Sequence, residues 1–124
     1  MSQPKKTLAQ HFHPLVWEWF QNRFGTPTPA QENGWPVLLR RENTLIAAPT
    51  GGGKTLSAFF VAINDLVTQA INGELEDGTQ VVYLSPLRAL SNDIKKNLEE
   101  PLAEISELLR SRGYKFPEIK VGLR

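Results

Sequence analysis

Thr44-Leu45-Ile46-Ala47-Ala48-Pro49-Thr50-Gly51-Gly52-Gly53-Lys54-Thr55 passes from a short apolar run into a glycine loop and leaves it through a lysine and a threonine. The run 44–48 lacks polar alternation, which predicts a strand covered on both faces, as in a parallel sheet. Residues Lys54 to about Ile71 carry Leu56, Phe59, Phe60, Ile63, Leu66 and Val67 on one stripe, which predicts a helix directly behind the loop. A loop that cradles phosphates needs backbone N–H groups unobstructed by side chains, and it needs the partial positive charge of a helix N-terminus. Gly51, Gly52 and Gly53 meet the first need and the predicted helix the second. Lys54 can reach β- and γ-phosphates as a point charge, and the Thr55 hydroxyl can join the shell of a magnesium ion. The octet 48–55 departs from the strict G-x-x-x-x-G-K-[ST] pattern only at Ala48, which adds one methyl group.

Working outward, Asn72-Gly73 predicts the end of that helix, and a polar linker occupies 74–79. Val81-Val82-Tyr83-Leu84 predicts a second buried strand. Ala89 to Leu98 and Leu102 to Leu109 predict two helical segments divided at Pro101 and stopped at Gly113, and a third strand starts at Ile119. Towards the N-terminus, Phe12, Leu15, Val16, Trp19, Phe20 and Phe24 recur at helical spacing, and Gly25 closes that helix. Thr28 caps a following helix with Pro29 in its first turn, while Pro36 is expected to kink or restart it near Trp35. The order is helices, then β-α-β-α-β, and the right-handed crossover rule turns that order into an open parallel sheet with helices on its faces. The expected division is a polar N-terminal stretch at 1–10, a helical region at 11–43, and an α/β part at 44–124. A last strand with nothing after it leaves the sheet edge uncovered, so the α/β part reads as incomplete.

Composition narrows the class further. Of 124 residues 40% are apolar and 22% charged, an ordinary globular balance. With 14 basic and 13 acidic residues the net charge is +1, so any nucleic-acid contact must be local. There is no cysteine, and His11 and His13 are the two histidines, which excludes disulfides and cysteine-ligated zinc. No apolar run approaches a membrane span or a secretory leader, so the chain reads as cytoplasmic with no membrane partner.

The octet alone fits kinases, GTPases, transporters and helicases. Phe24-Gly25-Thr26-Pro27-Thr28-Pro29-Ala30-Gln31 discriminates among them, because it resembles the Q motif of superfamily 2 DEAD/DEAH-type helicases. A lone glutamine usually faces solvent. Here the Pro-Thr-Pro before Gln31 and its spacing to Lys54 assign it to adenine. Its amide can donate to a ring nitrogen and accept from the exocyclic amine, which selects ATP over GTP. Ser85-Pro86-Leu87-Arg88-Ala89-Leu90 resembles motif Ia, where these enzymes grip the nucleic-acid backbone, and an exposed turn with Arg88 suits a phosphate.

Within the superfamily, Phe20 to Gly25, Trp35-Pro36, Ala48 to Phe60 and Tyr83 to Ile94 together resemble the large helicase-related family, Lhr, over about residues 12–124. Generic DEAD-box proteins carry P-T-R-E-L-A where this chain has Ser85 to Leu90. Two departures are Gly52, where serine is commoner, and Arg41-Glu42-Asn43, which lacks the usual glycine.

The resemblance implies a P-loop NTPase, RecA-like three-layer parallel sheet and a DNA-stimulated ATPase that unwinds duplexes in DNA repair with ATP and Mg2+. Its implied site comprises Lys54 and Thr55 in the catalytic role, and Phe24, Gln31, Pro49, Thr50, Gly51, Gly52, Gly53, Lys54 and Thr55 on the nucleotide. Thr55 serves the metal, and Ser85, Pro86, Leu87 and Arg88 the nucleic acid. Implied partners are single-stranded or duplex DNA, with RNA left open, and a second RecA-like lobe. No D-E-x-H or D-E-A-D sequence occurs among the 124 residues, so this stretch alone is not expected to hydrolyse ATP usefully. A non-unwinding, ATP-binding interaction module is the alternative. Glu99, Glu100, Glu104 and Glu107 with Lys95, Lys96 and Arg110 read as a mixed solvated face with four-residue ion pairs. Trp17, Trp19 and Trp35 read as packing residues.

Overall fold

The computed structural model describes residues 7–47, 54–84 and 98–122, with the backbone alone at 54 and 55. A single 3-10 turn, Leu8–His11, precedes four helices: α1 Pro14–Phe24, α2 Pro29–Leu39, α3 Lys54–Ile71 and α4 Glu100–Ser111. Helix α2 lies along α3, α4 lies along α1, and the 3-10 turn touches both α1 and α2.

The helix starts follow from local hydrogen-bond chemistry. At α1 the unprotonated Nδ1 of His13 accepts from the Leu15 N–H at 3.1 Å, and Pro14 fills a first-turn position that needs no N–H. The His13 N–H donates to Asn64 Oδ1 at 2.9 Å, which ties the start of α1 to α3. At α2, Thr28 and Gln31 form a capping box, with Pro29 in the first turn as expected. Pro36 sits inside α2, which runs unbroken to Leu39 instead of restarting near Trp35.

Three helices stop in the same way. After α3 the Gly73 N–H donates to Ala70 O and the Glu74 N–H to Gln69 O, with Gly73 at φ +72°. After α4 the Gly113 N–H donates to Arg110 O and the Tyr114 N–H to Leu109 O, with Gly113 at φ +94°. Both are Schellman stops on the glycines the sequence offers. After α2 the Arg41 N–H donates to Leu38 O and the Glu42 N–H to Val37 O, and Arg41 takes φ +60°. The missing glycine of this turn is therefore an arginine held in the left-handed region, which costs about 1–2 kcal/mol. Arg41→Gly should raise stability by about 1 kcal/mol in a urea titration. The ion pair it removes, Arg41 to Asp65 at 3.1 Å, is exposed and contributes less than that.

The core is aromatic and lies between the helices. Phe12, Val16, Trp19 and Phe20 meet Trp35, Leu56, Phe59, Phe60, Ile63 and Val67, and Leu102, Ile105 and Leu109 close it from α4. Phe60 is central, with ring centroids 4.8 Å from Phe12, 4.9 Å from Trp35 and 5.2 Å from Phe20. The expected stripes on α1 and α3 are thus largely the buried ones, with Phe24 exposed at the end of α1. Trp17 stacks on Phe12 and Phe20 at the core margin, and all three tryptophans pack.

The expected strands of the parallel sheet are not formed among the described residues, and 44–47, 81–84 and 119–122 carry no ladder. Leu45, Val82 and Leu84 are exposed, while Tyr83 touches Phe59 with ring centroids 4.8 Å apart. An apolar run without alternation reports that a segment suits burial; a parallel strand also needs neighbours to pair with on its edges. Here the helices bury their stripes against one another around Phe60, and of the short apolar runs Ile119 and Val121 pack only at the margin of that cluster.

The acidic face of α4 also differs from the expected i,i+4 pairing. Glu104 accepts from Trp19 Nε1 at 2.8 Å and pairs with Arg23 at 2.7 Å, so it links α4 to α1.

Burial holds the His13 imidazole below its usual value of 6.5, and its cap requires the unprotonated ring. The unfolded chain therefore binds the proton at higher pH than the folded one. This contribution is complete above pH 6.5, falls as pH drops beneath it, and is gone below the folded value. His13→Asn keeps a capping oxygen and should flatten that part of the pH dependence of the urea midpoint.

Candidate functional site

Of the expected nucleotide residues, the structure describes the side chains of Phe24 and Gln31. Pro49, Thr50, Gly51, Gly52 and Gly53 lie outside the described residues, as do Ser85, Pro86, Leu87 and Arg88. The backbone at Lys54 and Thr55 opens α3, an 18-residue helix whose first N–H groups have no acceptor within the helix. The predicted loop thus ends where a helix N-terminus begins, the arrangement that favours an anion.

Gln31 is buried, at 3% relative exposure. Its Oε1 accepts from the Thr28 N–H at 2.9 Å, and its own N–H donates to Thr28 Oγ1 at 3.2 Å. Its amide nitrogen has no hydrogen-bond partner among the described residues. One turn further along α2, Trp35 is fully buried and its indole Nε1 donates to the Ser57 carbonyl at 2.8 Å. Residues four apart share a helix face, so Gln31 stands on the side of α2 that Trp35 fastens to the first turn of α3. The glutamine and the predicted phosphate loop therefore approach the same end of α3.

Phe24 is elsewhere. It ends α1, is 49% exposed, and packs on Trp19 and Phe20 with ring centroids 5.9 and 5.4 Å away. The Arg23 guanidinium lies 5.8 Å from the Phe24 ring and from the Trp19 ring. These contacts place Phe24 beside the α1–α4 link.

A cleft of about 650 Å³ runs between α2 and 44–47, lined among others by Thr28, Pro29, Asn33, Gly34, Leu45 and Ile46. Neither Gln31 nor Phe24 lines it. Gly34 explains how the segment before the loop comes so near α2: a Cβ there would stand 2.8 Å from Ile46 Cδ1. A glycine inside a helix costs about 1 kcal/mol relative to alanine, and such a cost in mid-helix is the sequence signal for a close approach. Asn64 and Ser57, which hold α1 and α2 to α3, were not legible as site-building residues. Both are polar groups acting through a side-chain oxygen or a main-chain carbonyl within an apolar stripe.

The capping box that holds the buried Gln31 thus lies on the helix that Trp35 ties to the first turn of α3. Comparison with known proteins gives the family. The family model for DEAD/DEAH box helicases matches residues 28–119, and the chain belongs to that family. Within it, the relatives matched over most of the chain include Lhr proteins. The chain is 54% identical over 109 residues to ATP-dependent helicase Lhr-Core protein 2 of Thermococcus barophilus, an overlap covering 88% of this chain and 13% of that protein. It is 46% identical over 113 residues to the Lhr helicase/probable uracil glycosylase of Mycolicibacterium smegmatis, covering 91% of this chain and 7% of that protein. The solved structure of Mycobacterium smegmatis helicase Lhr bound to ssDNA and AMP-PNP matches with a TM-score of 0.78 at 43% identity, over 94% of this chain and 14% of that one. The chain thus spans a small part of the length of its relatives. Family and neighbour imply a P-loop NTPase helicase fold, to which the described residues contribute helices. Among the described residues no helix is long and apolar enough to cross a membrane.

Proposed function

We propose that this chain is the ATP-binding part of the first motor lobe of a nucleic-acid helicase or translocase, acting on single-stranded or duplex DNA and serving DNA repair. The observation that carries this reading is the Trp35 to Ser57 hydrogen bond, which ties α2, the helix of Gln31, to the first turn of α3, the helix that Lys54 opens. The relative solved with ssDNA and AMP-PNP supports the nucleotide and the single strand as its ligands.

In this reading 11–43 is the Q-motif region and 44–124 the first part of a RecA-like lobe. Thr50 to Gly53 offer main-chain N–H groups to the phosphates, with Pro49, which has none, leading into the loop, and Lys54 neutralises the β- and γ-oxygens. Gln31 reads adenine, whereas Phe24 packs on Trp19 and Phe20 beside the α1–α4 link and takes no part in this reading. Ser85, Pro86, Leu87 and Arg88 hold a backbone phosphate of the nucleic acid. Thr55 offers one hydroxyl to Mg2+, an ion that takes six oxygens and keeps several waters, so the donor chemistry fits with carboxylates supplied from beyond the octet. When bound, the ion neutralises charge on the phosphates. A second RecA-like lobe completes the motor, and the 124 residues alone bind nucleotide without useful turnover.

The test is the ATPase rate of the protein that carries this chain, with and without single-stranded DNA and with RNA of the same sequence. Stimulation by DNA is the expected result. Nucleotide binding with no stimulation by either polymer would sink the motor and leave an ATP-binding interaction module.

A further inference from the structure

We infer that Thr28 is a positioning residue for base selection: its main-chain N–H fixes which way the Gln31 amide faces. This rests on the reading of Gln31 as the adenine contact and goes one step behind it.

The two ends of a glutamine amide have nearly the same shape and opposite hydrogen-bonding sense. A freely turning amide offers a base either a donor or an acceptor at each position, so it discriminates poorly. Here the Thr28 N–H donates to Oε1 at 2.9 Å. Turning the amide over would lose the hydrogen bond to Oε1 and set two N–H groups against each other in a site where the glutamine is 3% exposed. The orientation is therefore single. It leaves the amide nitrogen as a donor with no partner among the described residues, and one lone pair of Oε1 as an acceptor beside it.

That donor and acceptor, in that order, match N7 and the exocyclic amine on the Hoogsteen edge of adenine. Guanine offers N7 and O6, two acceptors, so the fixed Oε1 faces O6 with no proton between them. The Thr28 Oγ1, in contrast, accepts from the Gln31 N–H and caps the helix without touching the amide. Cap and orientation therefore come from different atoms of one residue, which allows them to be separated.

Thr28 has φ −72° and ψ 163°, values a proline adopts, so Thr28→Pro removes the N–H without forcing the backbone. Thr28→Ala removes the hydroxyl and keeps the N–H. Gln31→Glu keeps an acceptor for the Thr28 N–H and has no donor for N7. Binding of ATP, GTP and 7-deaza-ATP to the full-length protein should be measured for each. A good bidentate base contact corresponds to roughly tenfold discrimination. Thr28→Pro should therefore lose about tenfold in ATP over GTP preference, with Thr28→Ala close to wild type although less stable. Gln31→Glu, whose fold does not depend on a proline, should lose the preference for ATP over 7-deaza-ATP by a similar factor.

A wild-type preference in Thr28→Pro overturns the inference. So does an equal loss in Thr28→Ala, which would trace the effect to the cap. A Gln31→Ala protein that still prefers ATP over GTP marks a different failure, that of the adenine reading itself.

Discussion

Lys54→Ala should lower nucleic-acid-stimulated ATP hydrolysis in the full-length protein by a factor on the order of a hundred or more, while leaving folding stability within about 0.5 kcal/mol of wild type. The asymmetry follows from position. Lys54 is the first residue of α3, at the edge of the helical core and not on the stripe formed by Leu56, Phe59, Phe60, Ile63 and Val67. Alanine is a good helix former at that first position. What the substitution removes is a positive charge against the most charged part of the ligand, in a loop whose other contacts are neutral N–H groups. Charge-assisted contacts are about twice as strong as neutral ones, and they matter most where negative charge shifts during phosphoryl transfer. Lys54→Arg keeps the charge with a larger, planar head that the glycine loop is not shaped for, so it should recover binding better than turnover. Phosphate release at saturating single-stranded DNA, with nucleotide affinity measured separately, checks both. A Lys54→Ala protein that hydrolyses ATP at the wild-type rate would remove the octet 48–55 from the site altogether.

The helices were legible because each is marked by chemistry that acts locally. Thr28 with Pro29 announces a start, Gly73 and Gly113 announce stops, and the stripe on α3 announces the buried face. The Schellman stop at Arg41 was not legible, because arginine is a poor resident of the left-handed region and the turn is held by the hydrogen bonds of 41 and 42 to α2. The sheet was read from apolar runs at 44–48, 81–84 and 119–121, and such runs carry no information about pairing partners. Leu45, Val82 and Leu84 are exposed for that reason. Glu104 illustrates the same limit for charge: spacing along one helix suggested local pairs, and the partners are Trp19 and Arg23, more than eighty positions away in sequence. For the site, residue types at 31 and 48–55 pointed to a nucleotide. The fastening of α2 to α3 depends on a main-chain carbonyl at Ser57, a group every residue possesses and no pattern reveals.

Trp35→Ala should destabilise the protein by about 3–5 kcal/mol, a large share of the 5–15 kcal/mol that holds a typical domain together. Trp35 is fully buried and its rings face Phe12, Phe20 and Phe60 at centroid distances of 5.4, 5.2 and 4.9 Å. The edge-on contacts with Phe12 and Phe20 cannot be rebuilt by alanine, and the surrounding rings are held by three different segments, so collapse into the cavity is restricted. Trp35→Phe separates packing from the hydrogen bond. It retains a ring among rings and deletes the Nε1 donor to Ser57 O, so its cost should be nearer 1–2 kcal/mol. The functional consequence has the opposite ranking to simple stability loss: Trp35→Phe stays folded, yet α2 is no longer fastened to the first turn of α3, and Gln31 rides on α2. Nucleotide affinity should therefore fall in Trp35→Phe more than its small stability cost explains. A core substitution of similar cost on the far side of the cluster, such as Ile105→Val on α4, should leave affinity unchanged. Urea midpoints and nucleotide binding measured on the same preparations decide the matter. Equal affinity in Trp35→Phe and Ile105→Val would mean that the indole hydrogen bond holds the core and does nothing for the site.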